Sequence, residues 1–294
     1  MNLEDSSVCK IADAPKTPVI FQYLGDQKVA AVCGQQGNKT DQSCYSLSNG
    51  TNPGWTTLPQ ISNQYCPFPS QTRSHYINNN GWFVLGKKPL DRVPNGNFDT
   101  CRYQDSKPSA EIFNTIRQWN NISIASPYRT GNYPQMTCSV PLNTSHVMVM
   151  GGYSDGLTHS EAFIYNIASN TWTNNTAAMP QSTQWPGCVL KPDGEVLVAG
   201  GMEPLNGIPR DSVHIYNVVS NSWRTLLPKL PEPVRRPVML LWKNTPILLV
   251  SGTDKVYKMK DDNSWELLEA KLGKEFRGET DLAVVVPSGL YSCP

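Results

Sequence analysis

The chain has 294 residues, with 25 Lys and Arg against 24 Asp and Glu, and only 17% of its residues are charged. A formal charge of +1 gives no general electrostatic case for nucleic acid or for an anionic membrane surface. No apolar run approaches the length of a membrane span, and the 24 Pro and 21 Gly point to a chain of many turns.

In chain order, Val8-Cys9-Lys10-Ile11 is a short strand candidate within a lead-in covering residues 1–16. Met1 to Ser7 holds no apolar signal region, so the sequence reads as a mature form or a fragment. Val19–Tyr23 and Val29–Val32 are the next strands, Cys33-Gly34 follows the second, Cys44-Tyr45 begins a third and Trp55 closes the group. Ser74–Ile77 and Trp82–Gly86 open a second group, which a long loop from Lys87 to Ser109 separates from Glu111–Phe113 and Trp119. A third group runs from Met136 to Trp172, a fourth from Cys188 to Trp223 and a fifth from Val238 to Trp265. Leu282–Val286 and Leu290–Cys293 begin a sixth.

The third and fourth groups carry one pattern. Val147–Trp172 and Val196–Trp223 each contain an apolar run, a Gly pair, a polar loop, a strand ending in Tyr-Asn, and the close Asn-x-x-Ser-Asn-(Thr/Ser)-Trp. The copies lie 51 residues apart by their Trp (223 − 172) and 49 by their second Gly (201 − 152). A weaker copy follows in Ile247–Gly252, Tyr257 and Trp265. A period near 50 marks a propeller array. The runs are apolar throughout rather than alternating, as expected of strands packed on both faces. The Gly pair permits positive φ and close backbone approach. Tyr165 and Trp172 offer large apolar bodies suited to packing between sheets.

The apolar run, Gly-Gly, Tyr and Trp together resemble the kelch repeat. That resemblance implies a β-propeller of four-stranded antiparallel blades, with loops on one face used for binding. Six apolar runs, beginning at Val29, Trp82, Val147, Val196, Ile247 and Leu282, give the expected fold. It is all-β, a single domain over 1–294 and a six-bladed kelch-type propeller, its last blade closed by N- and C-terminal strands.

Eight Cys, an even number, suggest four disulfides and an oxidising compartment, with buried free thiols as the alternative. The expected pairs are Cys33 with Cys44, which a hairpin brings together, and Cys66, ahead of the second group, with Cys101 in that group's long loop. Cys138 and Cys188 begin equivalent strands of neighbouring groups and are candidates to pair across them, and Cys9 with Cys293 is expected to close the ring. Five Asn-x-Ser/Thr sites, at Asn38, Asn49, Asn121, Asn143 and Asn174, fall in expected turns and make the chain a candidate glycoprotein.

Catalytic constellations are sparse. The four His have no metal-ligand spacing, and no Gly-x-Ser-x-Gly, P-loop or dinucleotide fingerprint occurs. No metal or cofactor is therefore expected, and catalytic residues stay unknown. The Tyr, His and Cys copper ligands of galactose oxidase, which has kelch-like blades, find no counterpart motif. Ser154-Asp155-Gly156-Leu157-Thr158 bears only a superficial likeness to the sialidase Asp-box and lacks its spacing. His214 reads as a structural strand residue, whereas His159 lies in a loop free to bind. Segments leading into the first strands carry Arg73, Tyr128, Arg129, Trp185, Arg235, Arg236 and Arg277. In a propeller these open on the same face as the loops after the Gly pairs. Arg presents bidentate donors to carboxylate, sulfate or phosphate, which suits a protein or acidic glycan ligand. The competing reading pairs them with rim acids such as Asp211, Glu232 and Glu279. The leading function is a secreted kelch-type binding or structural glycoprotein, with self-association left open and no nucleic acid or membrane insertion expected. The alternatives are a secreted enzyme with a site at the channel mouth and an intracellular adaptor or actin-binding protein.

Overall fold

A computed structural model describes residues 15, 20–23, 30–34, 41–47, 54–62, 72–77, 81–89, 106–113, 119–123, 125–128, 134–173, 175–203 and 206–268. Among these residues the only regular structure is β, in five antiparallel four-stranded sheets and one small hairpin. The first sheet is β1 (Ile20–Tyr23), β2 (Ala30–Cys33), β3 (Cys44–Leu47) and β4 (Trp55–Leu58). The second is β5 (Thr72–Ile77), β6 (Gly81–Pro89), β7 (Ser106–Phe113) and β8 (Trp119–Ser123). The third is β9 (Cys138–Pro141), β10 (His146–Met150), β13 (Ala162–Asn166) and β14 (Thr171–Trp172), with the hairpin β11 (Tyr153–Ser154) and β12 (Leu157–Thr158) between β10 and β13. The fourth is β15 (Gly187–Leu190), β16 (Glu195–Ala199), β17 (Val213–Asn217) and β18 (Ser222–Thr225). The fifth is β19 (Val238–Trp242), β20 (Thr245–Leu249), β21 (Val256–Met259) and β22 (Trp265–Leu268).

Each sheet is a meander in chain order, and the first strands lie side by side in succession, β1 on β5, β5 on β9, β9 on β15 and β15 on β19. The sheets therefore radiate from their first strands and stack face on face. This arrangement accounts for the unbroken apolar runs. In β10, Val147 and Val149 pack with Phe83 and Leu85 of the second sheet, while Met148 and Met150 pack with Val196 and Val198 of the fourth. In β16, Leu197 packs with Met239 and Leu248 of the fifth sheet. Successive strand residues face opposite ways, so a strand between two neighbours must be apolar at every position. Each fully buried aliphatic side chain contributes about 1.5–3 kcal/mol relative to exposure.

The repeat's aromatic residues tie each sheet to the segment arriving from the one before. Tyr165 pairs across strands with Trp172, and Tyr216 with Trp223; the ring centroids lie 4.8 and 5.0 Å apart. Each Tyr hydroxyl donates to the Asn five residues on, Tyr165 to Asn170 at 2.6 Å and Tyr216 to Asn221 at 2.7 Å. Trp172 Nε1 donates to the carbonyl of Ala125, and Trp223 Nε1 to that of Ala177, both at 2.8 Å. Both Trp are half-buried, packed on one side and open on the other.

Disulfides join Cys33 to Cys44 across β2 and β3, with Cα atoms 4.2 Å apart, and Cys138 to Cys188 between β9 and β15, with Cα atoms 6.1 Å apart. The second staples the first strands of adjacent sheets. Cys9, Cys66, Cys101 and Cys293 lie outside the described residues, as do the strand candidate Val8–Ile11 and the run at 282–286. Two expectations need correction. The loop expected over Lys87–Ser109 is shorter, because β6 and β7 stay paired out to Pro89 opposite Ser106. The hairpin β11–β12 was not expected; its turn is Asp155-Gly156, both at positive φ (51° and 79°), a pair well suited to a two-residue reversal.

Candidate functional site: the glycine-pair end of the sheets

Antiparallel pairing fixes which segments share an end. Cys138 and Ala162 both lie opposite Met150, so the segment leading into β9, the Gly pair after β10 and the loop into β13 meet at one end of the sheet. The same holds in the fourth sheet, where Gly187 and Val213 lie opposite Ala199.

The Gly pairs are required here. Gly152 and Gly201 have φ of 96° and 97°. A Cβ on Gly152 would stand 2.5 Å from the Gln135 carbonyl oxygen; one on Gly201 would strike Thr183 Oγ1 and the Gln184 carbonyl. The close approach carries hydrogen bonds: Gly152 N–H donates to Thr183 O and Gly201 N–H to Val234 O, both at 2.9 Å. Each Gly pair is thus bonded to the segment leading into the next sheet. In the segments leading into β9, β15 and β19, Met136, Trp185 and Arg236 occupy equivalent positions, all at positive φ (61°, 50° and 53°). Non-glycine residues persist in this region only where the surroundings enforce it.

The loop of the third sheet is braced from within. His159 is fully buried; its Nδ1 donates to Glu161 Oε2 at 2.7 Å and its Nε2 shares a 2.7 Å bond with the Ser154 hydroxyl. Tyr128, also buried, meets the imidazole edge-on at 5.0 Å. The order hydroxyl, imidazole, carboxylate is that of a nucleophile with its base. Ser154 is only 4% exposed, however, so the hydroxyl is sealed in the loop. The fourth sheet explains the role. His159 N–H donates to Gly152 O and Arg210 N–H to Gly201 O, so Arg210 holds the place of His159. Arg210 pairs with Glu203 at 3.6 Å and donates to Gln181 Oε1 and Ser182 O. His159 braces its loop from within, whereas Arg210 ties its loop to the segment leading into its own sheet.

The surface outside these braces is continuous. Thr158 Oγ1 accepts from Gln184 Nε2 at 2.8 Å, which joins the β11–β12 hairpin to the segment before β15. The guanidinium of Arg236 lies 3.8 Å above the Trp185 ring centroid, a stacked cation–π pair. Arg210 and Val234 bond backbone to backbone, joining the fourth sheet's loop to the segment that bears Arg235, which is exposed. Leu157 and Ile208, each following a positive-φ Gly in its loop, are both 50% exposed. The acids at this end include Glu203, paired with Arg210, Asp211 with Lys229 at 3.1 Å, and Glu232 with Lys255 at 2.7 Å. Hydrogen bonds from Lys255 and then Tyr257 hold the Glu232 carboxyl below its ordinary range; burial, with Glu232 second, pushes Tyr257 up to about 12. His214 is buried in β17, and desolvation, with Arg210 nearby, disfavours its charged form.

Of the residues singled out in the sequence, Trp185 and Arg236 come together, as do Tyr128 and His159. Tyr128 and His159 are interior, so they shape the loop and do not reach a ligand, against the expectation for a free loop His. Arg73 falls in β5 with its side chain outside the description, and Arg129 and Arg277 lie outside the described residues. Asn143 is exposed in the β9–β10 turn and Asn121 lies in β8; Asn38, Asn49 and Asn174 lie outside the description. Sequence reasoning missed Leu157 and Ile208, although both stand directly after a loop Gly. It also missed the partners Ser154, Glu161 and Glu203. No group of three His, Cys, Asp or Glu among the described residues is placed to hold a metal.

Radiating four-stranded antiparallel sheets joined through their first strands define a β-propeller-like protein. Among solved structures the fold is similar to that of YjhT, a β-propeller, at a TM-score of 0.62 and 15% identity, over 86% of this chain and 84% of that one. No protein-family model and no curated protein matches the chain. Two disulfide-bonded pairs are consistent with an extracellular protein, and no helix among the described residues is long and apolar enough to cross a membrane.

Proposed function

We propose that the chain is a secreted kelch-type β-propeller of six blades that binds a protein or an acidic glycan through its glycine-pair end. The sixth blade comes from the sequence pattern alone, from the run beginning at Leu282 and the N-terminal candidate Val8–Ile11, with Cys9 and Cys293 as the closing pair. The observation that carries the binding reading is the band formed by the third and fourth loops. Along it, exposed Leu157, Ile208 and Arg235 flank the Arg236–Trp185 stack on a hydrogen-bonded scaffold. A stacked aromatic and guanidinium on a rigid frame is the composition of an interaction centre, and the exposed aliphatics add apolar area to it. Two doubly substituted proteins test it on an array of secreted ectodomains and sulfated or sialylated glycans: Arg235→Ala/Arg236→Ala and Leu157→Ser/Ile208→Ser. Val219→Ser, at the 97% exposed turn of the other end, is the control. Loss of about tenfold in affinity for either double variant, with the control unchanged, is expected. Equal binding by all of them removes the reading.

A further inference from the structure

The turn between β9 and β10 lies at the end of the third sheet remote from the Gly pair. Its Asn143 side chain does one job with one atom. Asn143 Oδ1 accepts from the backbone N–H of Ser145 and of His146, both at 2.9 Å, from the Ser145 hydroxyl at 3.1 Å, and lies 3.1 Å from His146 Nδ1. Its Nδ2 makes no hydrogen bond among the described residues, and the residue is exposed. The acceptor job needs no amide nitrogen. In the matching turn of the fourth sheet Asp193 Oδ1 accepts from Glu195 N–H at 3.1 Å and serves as well. What Asn adds at position 143 is a solvent-facing Nδ2, two residues before a hydroxyl in Asn143-Thr144-Ser145.

We infer that Asn143 Nδ2 carries an N-linked glycan that projects from the turn end and leaves the glycine-pair end uncovered. The inference rests on the secreted reading given above. In the attaching step Nδ2 loses a proton and bonds to the anomeric carbon of a lipid-pyrophosphate-linked oligosaccharide; the pyrophosphate leaves with the bonding electron pair. Every Oδ1 bond survives, so the sugar costs the fold no hydrogen bond, and a bulky solubilising group gains a rigid base.

The test is the full chain secreted from cultured animal cells behind a supplied leader. Peptide mapping should recover the Asn143 peptide bearing a glycan, and peptide N-glycosidase should convert that residue to aspartate. Trimming to a single sugar should leave the melting temperature unchanged, whereas Asn143→Gln, which misplaces the acceptor, should lower it. Recovery of the peptide wholly unmodified while Asn121 or Asn174 is occupied overturns the inference and leaves the glycoprotein reading standing. Absence of glycan at all five sites overturns both.

Discussion

The third and fourth sheets are two solutions to one backbone problem. Their Gly pairs share φ values, their Tyr hydroxyls reach Asn five residues on, and their Trp indoles donate to Ala125 and Ala177. Their polar ends differ. The third sheet is held through imidazoles bonded to hydroxyl, amide and carboxylate groups: Ser154–His159–Glu161 at one end, and Asn143, Ser145, His146 and Asn166 at the other. The fourth is held by ion pairs: Glu203–Arg210 at one end, and Lys191, Asp193, Glu195 and Arg224 at the other. Backbone geometry is therefore carried by the repeated residues, and the chemistry of the loops is set separately. This separation is what allows one face to be specialised without disturbing the core.

The strongest way to break the shared part is to add a methyl group where none fits. Gly152→Ala and Gly201→Ala should each cost about 3 kcal/mol or more, since a positive-φ Ala and a backbone overlap act together. Urea midpoints should fall by similar amounts in both; a parental midpoint in either would mean that the loop gives way cheaply. Trp172→Ala and Trp223→Ala come next, at about 2–3 kcal/mol, below the cost of a fully buried Trp because each ring is half open to solvent. Two equal losses would support the equivalence of the sheets, and midpoints within error of the parent would contradict it.

The differing part should break differently. His159→Ala removes the buried 2.7 Å hydroxyl–imidazole bond to Ser154 and should cost about 2 kcal/mol, with little dependence on salt. Arg210→Ala removes a long, partly exposed ion pair together with two long hydrogen bonds to Gln181 and Ser182 and should cost about 1 kcal/mol, a loss that shrinks in high salt. Reversal of that order in thermal melts would refute the two-brace account. The smallest effect is in acid. The Arg224 hydrogen bond chiefly, then Lys191 against an opposing burial effect, holds Glu195 down at about 2, from an ordinary 4.5. A depressed carboxylate stabilises above its unfolded value and loses that contribution as pH falls from 4.5 toward 2. With Arg224 half exposed the amount is about 1 kcal/mol. Glu195→Gln should flatten that part of the acid unfolding curve; an unchanged slope would show the pair to be inert.

What was legible in the sequence follows the same division. The runs at Val147 and Val196, the Gly pairs and the Tyr–Trp spacing gave the strands and their two-faced burial, because those features answer to local backbone and core packing. The Cys33–Cys44 and Cys138–Cys188 bridges were legible too, since a hairpin places the first and strand equivalence the second. The braces were not. Ser154 reaches His159 only because β11 and β12 fold back, and no residue type announces that Arg210 stands where His159 does. The extended β6–β7 pairing was hidden because Lys87, Lys88 and Lys107 look like loop, though a two-stranded ribbon that runs past the ends of β5 and β8 tolerates them well.

The most direct test of the binding claim is to cover the proposed face with a sugar. Asp155→Asn/Leu157→Thr creates an acceptor sequon at the tip of the β11–β12 hairpin, where the positive φ of residue 155 suits Asn. Secreted from animal cells, this variant should lose binding to the ectodomain and glycan array by about tenfold or more, as a covered interaction centre requires. Trimming the glycan at Asn143, on the opposite end, should change nothing. Undiminished binding by a variant whose hairpin glycan is confirmed by mass would contradict the account.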